Sequence, residues 1–161
     1  LHPDSEGALA LGVAKRIRTL GVRTGFGSLA DGADIVIAEA LIEARAEIHV
    51  FLPMPAEAFV LGSVSESGND WRRRFAQCID RAASVTEDSA VDGDRDLAYQ
   101  RCAHRFMDAA FRRARSVGCL PLLIAVWDGE PPRPAQVAGA AADVQHWRTL
   151  GLPVETLSPA G

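Results

Sequence analysis

Residues 24–53 read TGFGSLADGADIVIAEALIEARAEIHVFLP, and the fold is decided here. The stretch opens on a glycine-rich turn, Gly25-Phe26-Gly27-Ser28. An apolar helix is predicted over 32–44, then a short strand over 48–52 that Pro53 stops. Strand, tight turn, helix and strand make a βαβ unit, whose two strands lie parallel. In doubly wound sheets small ligands sit outside the carboxyl ends of the strands. The turn over 25–34 is therefore where function is expected.

Working outward toward the amino end, Leu9, Val13, Ile17 and Leu20 recur at helical spacing. Ser5 or Asp4 can cap that helix and Gly21 ends it. A weak strand follows over 22–27, because two glycines cost stability unless the backbone must turn or approach something closely. In the helix over 32–44, Ile35, Val36, Ile37, Ala38, Leu41 and Ile42 cover most of the circumference, which predicts burial on most sides. Glu39 and Glu43 share one face and read as a solvated stripe.

Toward the carboxyl end, a short helix is expected over 56–61 and a loop over 65–68. Asn69 can cap a helix through 84, with Trp71, Phe75, Cys78, Ile79 and Ala82 inward and Arg72 and Arg73 solvated. A short strand over 83–86 leads to an acidic loop over 88–96. The long helix over 96–117 turns Ala98, Cys102, Phe106, Ala109, Ala110, Ala114 and Val117 inward. It leaves Arg101, Arg105, Arg112 and Arg115 in solvent. Residues 121–127, PLLIAVW, form a continuous apolar run, the pattern of a strand covered on both faces. A proline-rich loop, a last helix from 135 or 136 to 150, and an edge strand over 154–157 complete the chain. This alternation predicts an α/β sandwich with a mainly parallel sheet, in a single domain over 1–161. Such folds usually begin with a strand, and none precedes the first helix. The expectation is a piece of a longer protein, which either has lost its first strand by truncation or builds a sheet without it.

The composition is globular, with 48% hydrophobic and 24% charged residues. A net charge of −4 argues against a general nucleic-acid binder. No apolar run has the ~20 residues of a membrane span. Cys78, Cys102 and Cys119 are odd in number and widely spaced, so neither a zinc site nor a disulfide framework is indicated. Cys78 and Cys102 read as buried small hydrophobes, and a reducing cytoplasm fits.

All strand-to-helix loops of a parallel sheet meet on one edge. Here they would bring backbone donors from Gly25, Gly27 and Ser28 near carboxylates of Asp31, Asp34, Asp88 and Asp128. Gly27-Ser28 entering a helix suits an anion, but G-x-G alone is a weak signal and no Walker-type loop is present. Asp31 and Asp34 either cap the helix or accept hydrogen bonds from ribose hydroxyls. Ser28 has no His and Asp partners in the pattern, and His2, His49, His104 and His146 lack metal-ligand spacing. No catalytic residue, metal or cofactor is indicated. His49 reads as a satisfied structural residue.

The segment Ser28-Leu29-Ala30-Asp31-Gly32-Ala33-Asp34 resembles the SLOG superfamily, with Ala38-Glu39-Ala40-Leu41 and Leu52-Pro53 at matching distances. This Rossmann-like group is named after the SMF/DNA-processing protein A and "lonely guy" families. Trp71-Arg72-Arg73-Arg74-Phe75 and Ala125-Val126-Trp127-Asp128-Gly129 look like a bacterial branch that accompanies tetratricopeptide repeats or nucleotide cyclase domains. The resemblance implies a Rossmann-like three-layer sandwich and a site for a nucleotide or nucleotide-derived molecule. It places ligand contacts at Gly25, Gly27, Ser28, Leu29, Asp31, Gly32, Asp34, Pro53, Thr86, Asp88, Asp128 and Gly129. The catalytic "PGGxGTxxE" loop of the "lonely guy" enzymes has no counterpart here. Expected is a non-catalytic sensor with fused or associated signalling domains, open to forming a homodimer. The alternatives are a nucleotide N-glycosidic hydrolase, using Glu39 or Asp34, and an interaction module that binds no ligand.

Overall fold

The fold is built around the apolar helix predicted from the opening stretch. In the computed structural model, described for residues 3–64, 70–89 and 93–159, this helix is α2, Ala33–Glu43. Before it come α1 (Pro3–Leu20) and β1 (Thr24–Gly27). After it come β2 (Glu47–Leu52), α3 (Ala56–Ser63), α4 (Trp71–Arg81) and β3 (Ser84–Glu87). The chain finishes with α5 (Arg95–Val117), β4 (Leu123–Val126), α6 (Ala140–Thr149) and β5 (Val154–Leu157).

Every ladder is parallel. Gly25 of β1 pairs with Ile48 of β2, and His49 of β2 pairs with Ser84 of β3. Leu123 of β4 pairs with Val154 of β5. Helices flank the strands on both faces, so the fold is α/β and Rossmann-like. The strands form two ladders, β1-β2-β3 and β4-β5, where one sheet was expected.

Strand β2 separates the layers, because successive side chains point to opposite faces. Ile48, Val50 and Leu52 are buried in the main core with Leu9, Val13 and Ile17 of α1, Ile35 and Val36 of α2, and Phe59 and Phe75. His49 and Phe51 face the other way, toward α5. There the Arg105 guanidinium lies 6.0 Å from the Phe51 ring centre. On that second face α5 buries Cys102, Ala103 and Met107, and α6 buries Val144 and Trp147. The His104 and His146 rings stack at 4.0 Å and join the two helices.

Several expectations are corrected. The apolar run ending in Trp127 was expected to be fully covered, yet within β4 only Ala125 is buried and its neighbours are half-buried. β4 has one ladder partner, β5, among the described residues, so its other edge lacks strand cover. Leu20 is 43% exposed, because Gly21 turns the chain away before that position can pack. Ile37 and Ile42 of α2 are half-buried, while Ile35, Val36, Ala38, Ala40 and Leu41 are buried. Val117 is 56% exposed and Phe106 half-buried; Met107 takes the core position instead. The last helix starts at Ala140, after a turn in which Ala135 has φ 64°. The residue before α4 is Asp70, in the left-handed region; Asn69 lies outside the described residues.

Glu39 is not a solvated residue. Arg74 donates to Glu39 Oε1 and Oε2 at 2.8 and 2.6 Å and to Glu6 Oε1 at 2.6 Å. Its guanidinium also lies 4.2 Å from the Trp71 ring centre. One half-buried cation thus ties α4 to α2 and α1. Arg105, expected in solvent, pairs with Asp88. Cys78 and Cys102 are buried as expected, and burial first of all pushes their thiols up to about 11 and about 12. Among the described residues no helix is long and apolar enough to cross a membrane.

Candidate functional site

The loop leaving β1 is held by its own polar groups. Ala30 donates its backbone N–H to Asp34 Oδ2 at 3.2 Å, and Asp31 donates its N–H to the Ser63 carbonyl at 3.0 Å. Leu29 is buried and pins the loop to the core. Gly32 opens α2 with φ 86°, a conformation that suits glycine, and no side chain caps this end. Asp34 therefore does not cap the helix; it folds the loop back onto the helix start. Ser28 Oγ is buried without a hydrogen-bond partner, a costly arrangement for a hydroxyl unless something else satisfies it.

The two glycines of β1 differ. A Cβ at Gly25 would lie 2.4 Å from Leu41 Cδ1, so this glycine serves the close packing of β1 on α2. A Cβ at Gly27 would meet nothing within 4 Å. Only Gly27 borders open space from which a ligand can approach the backbone.

The other expected residues are spread along the edge. Pro53 is fully buried behind β2. Thr86 is half-buried on β3 and Asp88 follows that strand. The Asp88 N–H donates to the Leu52 carbonyl at 3.0 Å. Because β2 stands between β1 and β3, Thr86 and Asp88 lie about two ladder spacings, ~10 Å, from β1. Beyond β4, Asp128 Oδ1 accepts the Glu130 N–H at 3.0 Å, and Gly129 completes the turn with φ 91°. Trp127 Nε1 donates to the Glu130 carbonyl at 2.8 Å and fixes the same loop.

A residue that the sequence reading did not single out completes the site. Asp143 lies in the first turn of α6, behind Gly139 with φ 95°, and this helix start also lacks a side-chain cap. Burial raises the Asp143 carboxyl to about 7, with the charge of Asp34 as the second cause. Asp34 itself is raised to about 6, chiefly by burial, against the lowering effect of the Ala30 N–H. Both aspartates also act on buried Cys102, so α2, α5 and α6 converge here. The sequence pattern held no hint of this, because a helix starting at 135 or 136 places Asp143 in its interior.

The convergence has a topological cause. α2 follows β1 and packs with α1 and α4 on one face, whereas α6 follows β4 and stacks on α5 at the other. In open α/β sheets, helices that depart to opposite faces after two strands mark the place where a crevice is expected outside the carboxyl ends. Here Asp34 lies in the helix after β1 and Asp143 in the helix after β4.

An open cleft of 390 Å³ lies elsewhere, lined by Phe26, Glu47, His49, Ala109, Arg112 and Arg113. None of the expected contact residues lines it. His49 there bonds Ser84 Oγ at 2.8 Å and stacks on Phe26 at 4.8 Å, in keeping with a structural role. Among the described residues no group of three or more His, Cys, Asp or Glu side chains could hold a metal ion.

No family model matches the chain, and no curated protein matches it. Among solved structures it is similar to the NAD+ synthetase from Burkholderia pseudomallei, at 17% identity and a TM-score of 0.38. The match covers 74% of this chain and 51% of that one, about half its length. A likeness so distant says nothing about ligand or reaction.

Proposed function

We propose that the crevice between the carboxyl ends of β1 and β4 binds a nucleotide-derived small molecule, and that the chain acts as a non-catalytic sensor module for attached signalling domains. The observation that carries this reading is the switch point, with uncapped starts of α2 and α6 beside Asp34 and Asp143. The unsatisfied Ser28 hydroxyl and the open approach to Gly27 support it. So does the SLOG resemblance of residues 28–34. The loops after the strands carry Asp31, Asp88, Asp94, Asp128 and Glu130 against Arg133, and Arg105 of α5 is already engaged by Asp88. A bare phosphate would be repelled there. A ligand that offers ribose hydroxyls to the aspartates fits better.

Calorimetric titration with adenosine, AMP, ADP-ribose and NAD tests the reading. Asp34→Asn should weaken binding by about 1–3 kcal/mol if the carboxylate accepts ribose hydroxyls. No binding by any of the four would overturn it. A second reading, hydrolysis of an N-glycosidic bond, is favoured by one observation: burial raises the Asp34 and Asp143 carboxyls toward neutrality, where a carboxyl can exchange a proton with substrate. Mass spectrometry of the recovered ligand separates the two, since the sensor returns it intact and the hydrolase returns free base.

A further inference from the structure

The open cleft beside α5 is built from residues that the crevice does not use. Phe26 of β1 stands opposite His49 of β2 in the ladder, and His49 stands opposite Ser84 of β3. The Phe26 and His49 rings stack at 4.8 Å with 14° between their planes, and Ser84 Oγ holds His49 Nδ1 at 2.8 Å. This row across three strands fixes a flat aromatic floor. Glu47 lies two residues before His49 and so projects from the same side of β2.

Helix α5 supplies the other wall. Ala109, Arg112 and Arg113 are spaced i, i+3 and i+4, which puts them on one face of the helix. The small side chain of Ala109 leaves room between helix and sheet, and the resulting cleft has a volume of 390 Å³. That lies within the range of small-molecule sites, about 300–1,000 Å³. Two guanidiniums and one carboxylate line it, so the cleft is locally positive in a chain of formal charge −4. Among the described residues neither guanidinium is paired with a carboxylate, although Glu47 lines the same opening.

Each lining group selects one feature of a ligand. A flat ring packs on the Phe26–His49 pair, because aromatic rings favour offset stacking. A guanidinium takes a carboxylate through two parallel N–H donors. Glu47 repels a second negative charge, which favours a monoanion over a phosphate ester. We propose that this cleft binds a small aromatic carboxylate, its ring on Phe26 and His49 and its carboxylate on Arg112 and Arg113. The proposal is independent of what the crevice binds.

The test titrates naphthoate into the 161-residue chain and follows the four histidine rings by NMR, with neutral naphthamide as the control ligand. Naphthoate should shift the His49 ring saturably and leave His104 and His146 in place. Naphthamide should bind about 10-fold more weakly or less, since it lacks the charge. The double substitution Arg112→Gln, Arg113→Gln should weaken naphthoate about 10-fold and leave naphthamide unchanged. Glu47→Gln should tighten naphthoate and admit phenyl phosphate. Should the double variant fold poorly, added salt serves on the parent chain: it should weaken naphthoate and not naphthamide. Equal affinity for the two probes, or naphthoate binding that ignores both the arginine substitutions and salt, would overturn the proposal. So would shifts at His104 and His146 as large as those at His49, which would mean indiscriminate binding to the surface.

Discussion

A side chain added at Gly25 would meet Leu41, whereas one added at Gly27, two residues on, would meet open space. Gly25→Ala is therefore expected to cost about 1–3 kcal/mol through overpacking. Gly27→Ala should stay within about 0.5 kcal/mol of the parent. Urea melts of the two proteins check the contrast, and equal losses would contradict it. Asp34 and Asp143 give a pH signature. Both carboxyls are raised on folding, to about 6 and about 7 from 3.8, so between pH 4 and 7 the native state holds more protons than the unfolded one. Stability then falls as pH rises through that window and levels off above it. Asp143→Asn should raise stability by about 1–2 kcal/mol at pH 8, less than full linkage because the group is not completely buried. At pH 4, where Asp143 is protonated in the native state, the same substitution should change little. Thermal melts at the two pH values decide, and a stabilisation that does not depend on pH would refute the linkage.

At the scale of the element, α2 was read as buried on most sides, and the structure keeps that reading while ranking its positions. Ile35 is fully buried and Ile37 half-buried. Ile35→Ala should cost roughly 2–5 kcal/mol and Ile37→Ala less than half as much. Equal losses would mean that both faces of α2 are equally packed. The same comparison shows the limit of periodicity. It finds which residues are apolar around the helix, but the less covered side is set by neighbouring layers. For β4 the limit was sharper. A continuous apolar run states what cover a strand needs, not whether a neighbour supplies it.

At the scale of the whole molecule, Arg74 joins α1, α2 and α4 through two carboxylates. Its side chain is 14% exposed, against 17% for Glu6 and 32% for Glu39. Arg74→Met should leave two acids facing each other in a half-buried site and cost about 3 kcal/mol. Replacing Glu39 by Gln as well should recover part of that loss; an additive double mutant in chemical denaturation would show that the groups are not coupled. Residues 24–53 by themselves determined the βαβ unit and the parallel pairing of its strands. Local chemistry suffices for that, since glycines, an apolar helix and a proline stop act within a few residues of one another. The partnership of Glu39 with Arg74, the packing duty of Gly25 and the approach of Asp143 to Asp34 were decided by tertiary structure alone. Each joins groups that are distant in the chain, and which side chains meet depends on how the helices cross the sheet, a choice made by the packing of the entire core.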